Sequence, residues 1–390
     1  MNTYDFSIVG AGIAGASLAY KLASQGASVV LLEREAHPGV HSTGRSAAMF
    51  METYGSVQAR ALTRASRNFY ENPPRGFSEA RILSPRGALY VAWEGQEKLL
   101  KDQFEMLQMA SSPGHPVFML SPEEVLQSVS VLKHEGMIGA ILEPDAMDID
   151  VDALHQAYLR GAKAMGGKIL FSAELSLAAF HQPLGYWQIT TKDGSQHQAR
   201  SLVNASGAWA DECAQRCGVA TLGIQPKRRS AFIFDAIDVS GKTLSAQETA
   251  HWPTFSGIQV DWYVKPDAGL LLGSPANADP VSAHDVQAEE IDIAMAIAEI
   301  EAHTSLRIRR PKRVWAGLRC FAPDDELVIG PDPAQTHFFW LAGQGGYGIQ
   351  SADGAATLAS ELLLEKALSH HLREHGVDPN STSPARSFET

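Results

Sequence analysis

The sequence has few cysteines, a deficit of positive charge and no long apolar run. Its three cysteines, Cys213, Cys217 and Cys320, match neither the spacing of a metal site nor a disulfide framework, which favours a reducing compartment. With 32 basic and 44 acidic residues the net charge is −12, which argues against a general affinity for nucleic acid. No run approaches the ~18–20 apolar residues of a membrane-spanning helix, and the N-terminus lacks the basic segment of a secretory signal. We therefore expect a cytoplasmic protein without a transmembrane segment, and leave peripheral association with the inner membrane open.

What the sequence does have is the length and composition of a two-domain globular protein. Its 390 residues exceed what one compact hydrophobic core usually holds. A hydrophobic content of 45% and a charged content of 19% are typical of folded rather than disordered chains. We expect two domains whose segments are interleaved along the chain.

The N-terminus has the pattern of a βαβ unit. Residues 4–9 (YDFSIV) predict a buried strand, residues 16–26 (ASLAYKLASQG) a helix that ends at Gly26, and residues 27–35 (ASVVLLERE) a second buried strand. Such a unit implies a parallel sheet.

The middle of the chain has a different pattern. Residues 84–92 (SPRGALYVA), 187–193 (WQITTKD) and 257–273 are alternating or aromatic-rich segments with turn signals between them, which predicts antiparallel strands. Residues 201–209 (SLVNASGAW) predict a return to the parallel sheet. The fold class is therefore α/β, or α+β overall, with a Rossmann-type domain and a second domain built on a mixed or antiparallel sheet.

Three glycines predict a dinucleotide site. Gly10, Gly12 and Gly15 form a GxGxxG pattern after a strand and at the start of a helix, where they allow a tight turn, a close approach to a pyrophosphate and close helix packing. The helix N-terminus adds unpaired N–H groups and the positive end of its dipole. Glu33, at the end of the second strand, can accept hydrogen bonds from ribose hydroxyls and would repel a 2′-phosphate. The pattern predicts NAD or FAD.

The chain leaves the βαβ pattern early, which favours FAD over NAD. A glycine- and hydroxyl-rich segment, HSTGRSAA (41–48), follows Glu33 and is suited to line an extended cofactor. Ser42, Thr43 and Ser46 can offer hydroxyls to phosphate or ribityl oxygens, and Arg45 is either a phosphate ligand or an exposed surface arginine. An NAD-dependent dehydrogenase is the alternative, and a purified protein without yellow colour would indicate it.

Seven segments together resemble the D-amino acid oxidase/glycine oxidase superfamily of FAD-dependent oxidoreductases. They are GAGIAGASLAYKLASQGASVVLLERE, HSTGRSAA, VNASGAWAD, PKRRSAFIF, YVKPDAGLLLGSPANADP, WAGLRCFAPD and GQGGYGIQ. Within the superfamily the sequence looks most similar to bacterial D-arginine dehydrogenase. The resemblance covers essentially the whole chain and implies non-covalent FAD and a two-domain fold. It also implies oxidation of a D-amino acid to an imine by hydride transfer to flavin N5, followed by hydrolysis to a 2-oxo acid and ammonia. The electron acceptor, oxygen or a quinone-type compound, stays undetermined.

The predicted domains are discontinuous in sequence. We expect the FAD-binding domain to comprise residues 1–80, 145–220 and 315–375, and the substrate-binding domain residues 81–144 and 221–314. Residues 376–390 are expected to form a C-terminal tail.

The resemblance places a larger set of residues against FAD, and no metal site is predicted. The set is Gly10, Gly12, Ile13, Ala14, Gly15, Glu33, Arg34, Ser42, Thr43, Arg45, Ser46, Ala47, Ala48, Ala205, Gly207, Trp209, Gly345, Gly346, Gly348, Ile349 and Gln350. The loop that contains Gly345 would bring backbone donors and a helix N-terminus near the flavin O2/N1 edge, where they would stabilise the negative charge of the reduced flavin.

Five residues are implied in holding the substrate. The guanidinium groups of Arg319 and Arg229 would bind its carboxylate, since a planar fork can make two charge-assisted hydrogen bonds. The hydroxyls of Tyr263 and Tyr54 would bond the carboxylate or the amino group, and Gly346 would offer its carbonyl to the ammonium. No obligatory general base is expected, because the amino group can lose its proton to solvent first.

Several pocket positions differ from D-arginine dehydrogenase. Ala88 stands where a glutamate of that enzyme recognises the distal guanidinium, and Met49 and Met51 replace a histidine and a threonine. Thr254 and Ser256 replace apolar residues. Because an apolar position cannot pair with a buried cation, these changes predict a preference for neutral D-amino acids.

Two acidic residues would restore recognition of a cation. Asp261 lies two residues from Tyr263, so that on a strand both side chains would face the same side. Glu52 is the second candidate. Tyr347 is expected to be a wall of the same pocket.

Two other functions are compatible with the sequence. Arg229 and Arg319 would hold any small carboxylate, so an N-methyl amino acid, an imino acid or a 2-hydroxy acid is an alternative substrate. A non-catalytic flavin-binding module is the other, which the presence of Arg319 and of the GQGGYGIQ segment disfavours.

Overall fold

The computed structural model describes residues 3–388, and residues 1, 2, 389 and 390 at the ends of the predicted domain and tail lie outside this range. The described residues form twenty strands, which are β1 (Thr3–Val9), β2 (Val29–Leu32), β3 (Met49–Phe50), β4 (Leu83–Pro85), β5 (Ala88–Trp93), β6 (Phe118–Leu120), β7 (Met137–Glu143), β8 (Met147–Ile149), β9 (Lys168–Leu170), β10 (Leu175–His181), β11 (Tyr186–Thr191), β12 (Gln196–Asn204), β13 (Gln225–Phe234), β14 (Thr254–Gly257), β15 (Tyr263–Asp267), β16 (Leu270–Ser274), β17 (Asp279–Pro280), β18 (Arg313–Phe321), β19 (Val328–Pro331) and β20 (Phe338–Ala342).

The same residues form eleven α-helices and two short 3₁₀ helices. The α-helices are α1 (Ile13–Ser24), α2 (Val57–Glu71), α3 (Glu97–Ala110), α4 (Pro122–Ser128), α5 (Val151–Ala164), α6 (Ala210–Arg216), α7 (Ala246–Thr249), α8 (Glu290–His303), α9 (Ala352–Leu363), α10 (His370–Glu374) and α11 (Pro379–Thr382). The 3₁₀ helices are Thr43–Arg45 and Gly207–Trp209. None of the helices within residues 3–388 combines the length and the apolar character needed to span a membrane.

The first sheet contains the predicted βαβ unit. Its parallel strands follow the order β9–β2–β1–β12–β20, and the hairpin β10–β11 and strand β19 extend it with antiparallel pairs. The four residues of β2 are all buried, as expected for a strand covered on both faces. Helices α1, α5 and α9 pack together against this sheet, so the predicted Rossmann-type domain is confirmed.

The second sheet has the mixed pairing that the sequence predicts. Its order is β17–β13–β16–β15–β14–β5–β7–β6, with β18 on the other side of β13. Only the β14–β5 pair is parallel among these described strands. A small third sheet, β3–β8–β4, lies at the crossing between the two domains.

Two segments lie elsewhere than the predicted domain division places them. Strand β18 pairs along most of its length with β13, so residues 315–321 belong to the second sheet. The segment 376–388, predicted as a tail, packs against the body of the protein. Thr382 is fully buried and Arg386 forms an ion pair with Asp324 at 2.7 Å. Both differences depend on long-range contacts, which the local pattern does not report.

Candidate active site

The loop after β1 leaves no room for side chains. Gly10 has φ +104°, and a Cβ there would overlap the carbonyl oxygen of Ala205. A Cβ on Gly15 would overlap the carbonyl oxygen of Gly10 and lie 3.1 Å from its carbonyl carbon. Gly12 precedes α1 without a side chain to cap it. The Thr43 hydroxyl accepts the Ile13 N–H at 3.0 Å, and the following N–H groups of the first turn are left for an anion.

Glu33 follows β2 and is held beside this loop. It is 7% exposed, and its two carboxylate oxygens accept the backbone N–H groups of Ala11, at 2.8 Å, and Glu35, at 3.0 Å. Arg34 instead places its guanidinium over the ring of Trp209, 4.6 Å from the centroid. The carboxylate is thus fixed in position next to the glycine loop with lone pairs left for ribose hydroxyls.

These groups line one continuous cleft of about 1270 Å³ of empty space, part of it open to solvent. It runs along the carboxyl ends of β1, β2, β12 and β20, where ligands bind in open parallel sheets. Most of the residues that the sequence places against FAD line it, namely Gly10, Gly12, Ile13, Ala14, Glu33, Arg34, Ser42, Thr43, Ser46, Ala205, Gly207, Trp209, Gly345, Gly346, Gly348 and Ile349. The glycine cradle, the buried carboxylate and the length of the cleft fit FAD.

The remaining predicted cofactor residues lie outside the lining of the cleft. They are Gly15, Arg45, Ala47, Ala48 and Gln350. Arg45 donates to the carbonyls of Val40, Val286 and Ala316 and pairs with Asp285 at 2.5 Å, so its guanidinium ties the two domains together instead of reaching a phosphate. 

Gln350 holds the substrate side of the site in place. Its amide oxygen accepts from the Met51 N–H at 3.3 Å and its amide nitrogen donates to the Tyr54 carbonyl at 3.2 Å. This side chain therefore orients the segment that carries Tyr54.

The cleft also contains residues that the sequence did not single out. They are a set of small or polar groups at loop ends, including Gly39, His41, Ser206, Gly343 and Gln344, together with residues 173–175. Some adjoin predicted motifs and could have been found by extending them. Residues 173–175 follow β9, and only the sheet order brings them to the cleft.

Arg319 and Arg229 meet at the inner end of the cleft. Arg319 lies on β18 and Arg229 opposite it on β13, where Arg229 pairs with Gly317. Arg319 donates to the Leu318 carbonyl at 3.2 Å and Arg229 to the Asn277 carbonyl at 2.5 Å, and no carboxylate among residues 3–388 pairs with either. Burial and the neighbouring Arg229 lower the pKa of Arg319. Two unpaired guanidinium groups in one place form a site for an anion.

Arg228 shows what a structural arginine on the same strand looks like. Its side chain points to the opposite face of β13, where it pairs with Asp292 at 3.1 Å, Asp279 at 3.3 Å and Glu289. The alternation of a strand therefore separates an arginine with three acidic partners from one with none in the described chain.

Tyrosine hydroxyls surround the two free arginines. The rings of Tyr54 and Tyr347 meet edge to face at 5.1 Å, and the Tyr54 hydroxyl lies 3.0 Å from where a Cβ on Gly346 would be. Burial and Arg229 lower the pKa of Arg319, and electrostatic interaction with Tyr263 and Tyr54 acts in the opposite direction. Within residues 3–388 no hydrogen bond uses the hydroxyls of Tyr54, Tyr263 or Tyr347, so all three are free to bind a ligand. The Gly345 N–H donates to the Cys320 carbonyl at 2.8 Å and docks the glycine loop beside Arg319.

Three of the predicted pocket residues, Ala88, Thr254 and Ser256, share one face of the second sheet with Tyr263. Ala88 pairs with Thr254, and Ser256 pairs with Tyr263, and directly paired residues point to the same side. Met49 and Met51 pack onto the cluster that includes Ala88, and the Thr254 hydroxyl lies 2.9 Å from the Met49 sulfur. We call the face formed by Ala88, Tyr90, Glu143, Thr254, Ser256 and Tyr263 the substrate face.

Neither predicted replacement for the missing glutamate has the position expected of it. Asp261 is exposed and lies in a bend before β15 begins at Tyr263, so the strand alternation that would align the two does not apply. Glu52 is buried but paired with Arg67 at 2.5 Å, and Ser112 donates to it at 2.5 Å. Although burial opposes this, these hydrogen bonds lower the pKa of Glu52, so its charge is already compensated.

The buried acid of the substrate face that sequence reasoning missed is Glu143. It lies directly opposite Ala88, on the neighbouring strand β7. It is 4% exposed, and the Thr53 hydroxyl donates to it at 2.7 Å. Burial raises its pKa to about 7. No signal in the sequence indicates this position, because the pairing of β5 with β7 is needed to find it.

The same carboxyl group predicts how stability depends on pH. Because the folded-state pKa of Glu143 is raised from 4.5 to about 7, the native state binds the extra proton and loses stability as the pH rises from 4.5 to 7. Glu143→Gln removes this loss and should raise the unfolding free energy by up to about 3 kcal/mol above pH 7. Thermal melts of both proteins at pH 5.5 and pH 8 measure it. An equal effect of the substitution at both pH values would contradict a protonated native Glu143.

The fold and the cleft define a two-domain protein that binds an adenine dinucleotide at the carboxyl ends of a parallel sheet. A family model described as FAD dependent oxidoreductase matches residues 5–362. The chain therefore belongs to this family of enzymes, and its cofactor is FAD.

Relatives and solved structures support the same assignment. Human mitochondrial dimethylglycine dehydrogenase is 23% identical over 392 aligned positions, which cover 96% of this chain and 44% of that protein. Glycine oxidase of Bacillus licheniformis is 24% identical over 383 positions that cover 93% of each chain. The L-α-glycerophosphate oxidase of Mycoplasma pneumoniae with FAD bound superposes with a TM-score of 0.81 at 17% identity, over 93% of this chain and 95% of that one. The chain thus spans less than half the length of dimethylglycine dehydrogenase, and the structural likeness shows the fold.

Proposed function

We propose that this enzyme oxidises a D-amino acid with a neutral side chain to the corresponding imino acid. The observation that carries the proposal is a pair of guanidinium groups without an acidic partner in the described chain, that of Arg319, which lines the FAD cleft, and that of Arg229 on the adjacent strand. The D configuration rests on the resemblance to D-arginine dehydrogenase, and the neutral side chain on Ala88.

The residues of the site divide the work of holding the substrate. Arg319 and Arg229 bind its carboxylate, and their charge is available because no acid of the described chain neutralises them. The Tyr54 hydroxyl lies beside Gly346, and this hydroxyl and the Gly346 carbonyl would accept the amino N–H groups. With both ends fixed, the Cα–H bond has one orientation toward the cleft, and this positioning supplies much of the rate.

The proposed reaction follows from the orientation of the bound amino acid. When bound, FAD supplies the oxidant for a two-electron oxidation of the Cα–N bond. The neutral amine is the form that reacts, and its proton leaves to solvent through the partly open mouth beside Tyr54, which is 41% exposed. Water then adds to the imine carbon, and loss of ammonia yields a 2-oxo acid.

An N-methyl amino acid is the second candidate substrate. Dimethylglycine dehydrogenase and glycine oxidase are both relatives, and the same carboxylate anchor serves either class. The apolar surface of Met49 and Met51 would accept an N-methyl group as well as a side chain.

A substrate panel distinguishes these alternatives. We expect D-norleucine and D-methionine to bleach the flavin absorbance anaerobically at least about 100-fold faster than their L-enantiomers. The panel includes sarcosine, dimethylglycine, D-proline and 2-hydroxy acids, and stopped-flow spectra give the rates. Faster bleaching by sarcosine or dimethylglycine than by any D-amino acid would replace the first proposal with the second.

A further inference from the structure

Glu143 differs from the other buried acids of the protein. Glu52 pairs with Arg67 and Asp353 with Lys21, at 2.5 and 2.7 Å. Glu33 receives two backbone N–H groups. Within residues 3–388 no cation pairs with Glu143, whose carboxyl group is hydrogen-bonded by the hydroxyl and the backbone of Thr53. A carboxyl group buried without a cation is costly to ionise unless a ligand supplies the charge.

Its position links it to the substrate. On the substrate face, Tyr263 and Glu143 lie on β15 and β7, three strand spacings apart across the sheet and two residues apart along it, which places their backbones about 16 Å from each other. Their side chains point to the same side of the sheet. Two residues of β5 lie between them on this face, Tyr90 and the small Ala88, and Ala88 is directly opposite Glu143, so its short side chain leaves the space beside the carboxylate unfilled. A substrate with its carboxylate at Arg319 would extend its side chain along this row.

A short segment also joins Glu143 to the inner end of the site. Thr53 donates to Glu143, and the next residue, Tyr54, lies against Gly346. Tyr90, on the same face, has a hydroxyl without a hydrogen bond in the described chain, and the charge of Glu143 helps to raise its pKa. Polar hydroxyls thus continue from the amino end of the substrate to this carboxyl group.

The surroundings of Glu143 are acidic or neutral. Burial raises its pKa to about 7, hydrogen bonds from Thr53 oppose the rise, and Glu52 and Asp145 add to it. Tyr90 lies on the same face, and burial raises its pKa well above the ordinary value. The charges nearby are paired elsewhere, Glu52 with Arg67 and Asp145 with His115 at 3.2 Å. Glu143 therefore changes charge within the physiological range of pH.

We propose that Glu143 closes the far end of the substrate pocket and that its ionisation selects the substrate side chain. The protonated acid accepts a neutral side chain, and the carboxylate accepts a cationic one by forming the ion pair that the protein itself does not provide. The inference rests on the proposed function, because the substrate is oriented by the carboxylate anchor at Arg319 and Arg229. The preference for neutral side chains then holds while Glu143 keeps its proton.

The test is the ratio of kcat/KM for D-lysine to that for D-norleucine, measured from pH 6 to pH 8. The two substrates share the α-amino group, so its ionisation cancels in the ratio. We expect the ratio to rise by about tenfold to about 100-fold in this range, since the ionised fraction of a group with a pKa of 7 rises about tenfold while the protonated fraction falls about tenfold. In Glu143→Gln the ratio should be low and change less than about twofold. Glu94→Gln, an exposed acid just beyond the end of β5, should follow the unaltered enzyme.

A binding measurement separates this inference from the proposed function. Hexanoate and 6-aminohexanoate carry the carboxylate and side chain of the two substrates without an amine to oxidise, and their binding perturbs the flavin spectrum of the intact holoenzyme. We expect the affinity of 6-aminohexanoate to rise relative to that of hexanoate between pH 6 and pH 8. This expectation holds even if the enzyme oxidises no D-amino acid. A flat ratio in the unaltered enzyme, or an unchanged profile in Glu143→Gln or its fallback Glu143→Ala, overturns the inference. A profile retained by Glu143→Asp supports it.

Discussion

Arg319→Met should lower kcat/KM for the best substrate by at least about a thousandfold, which corresponds to ~4 kcal/mol of lost transition-state binding. The guanidinium lies inside the cleft without an acidic partner, and burial together with Arg229 already lowers its pKa. The substrate carboxylate is the charge that this cation lacks. Removing one partner of such a buried pair leaves the other uncompensated, which costs more than the hydrogen bonds alone.

The controls separate anchoring from folding. Arg319→Lys keeps the charge but loses the planar fork. We expect its kcat/KM to lie between those of the unaltered enzyme and of Arg319→Met, mainly because KM is higher. Arg313→Met removes an exposed arginine from the same strand β18 and should leave kcat/KM within about twofold. The flavin absorbance of each purified variant shows whether the cofactor is retained. A change of less than tenfold in Arg319→Met with FAD bound would place the carboxylate anchor elsewhere.

The parts of the fold that sequence predicts well are those built from neighbouring residues. The unit β1–α1–β2 is visible because its apolar runs, its glycines and Glu33 follow one another within one stretch of chain. The same stretch of sequence predicts the dinucleotide cofactor. The pairing of β13 with β18 depends instead on strands about 90 residues apart, and no local pattern reports it.

The substrate site shows the same division. Arg319 and Arg229 are predicted because they match positions of the family that bind the substrate carboxylate, and each is a charge inside an apolar run, which needs a reason. Asp261 was expected to face the pocket by strand alternation, and the bend before β15 removes that alternation. Glu143 became visible only through its register with Ala88, more than 50 positions earlier in the chain. The structure thus places a buried carboxyl group directly beside the position of Ala88, which single positions of the sequence cannot reveal.

Arg45 shows how the same motif can serve two purposes. The hydroxyl-bearing residues around it line the cofactor cleft, but its own side chain crosses to Asp285 and the Ala316 carbonyl of the other domain. An arginine in a phosphate-binding segment favours a phosphate contact until the opposite domain is placed beside it. The segment therefore holds the cofactor on one side and the domain arrangement on the other.

Gly15→Ala should weaken FAD binding by at least about 100-fold. The added Cβ would overlap the Gly10 carbonyl oxygen and lie 3.3 Å from the Ile8 side chain. The Gly10 carbonyl belongs to the backbone directly after β1 and cannot move without displacing that strand. Helix α1 would have to shift away from the sheet by more than 1 Å, roughly, to restore ordinary contact distance. Its N-terminus would then leave the position from which its N–H groups meet a pyrophosphate.

Gly26→Ala is the matched control for this change, because Gly26 ends the same helix and is far from the cleft. Its φ of +85° makes the substitution strained, by about 1 kcal/mol, but no atom lies within 4 Å of the added Cβ. We expect this variant to lose some thermal stability and to keep its FAD. Titration of the two apoproteins with FAD, followed by quenching of flavin fluorescence, gives the dissociation constants. Equal affinities for Gly15→Ala and Gly26→Ala would show that the close packing of α1 on the glycine loop is not what positions the helix for the cofactor.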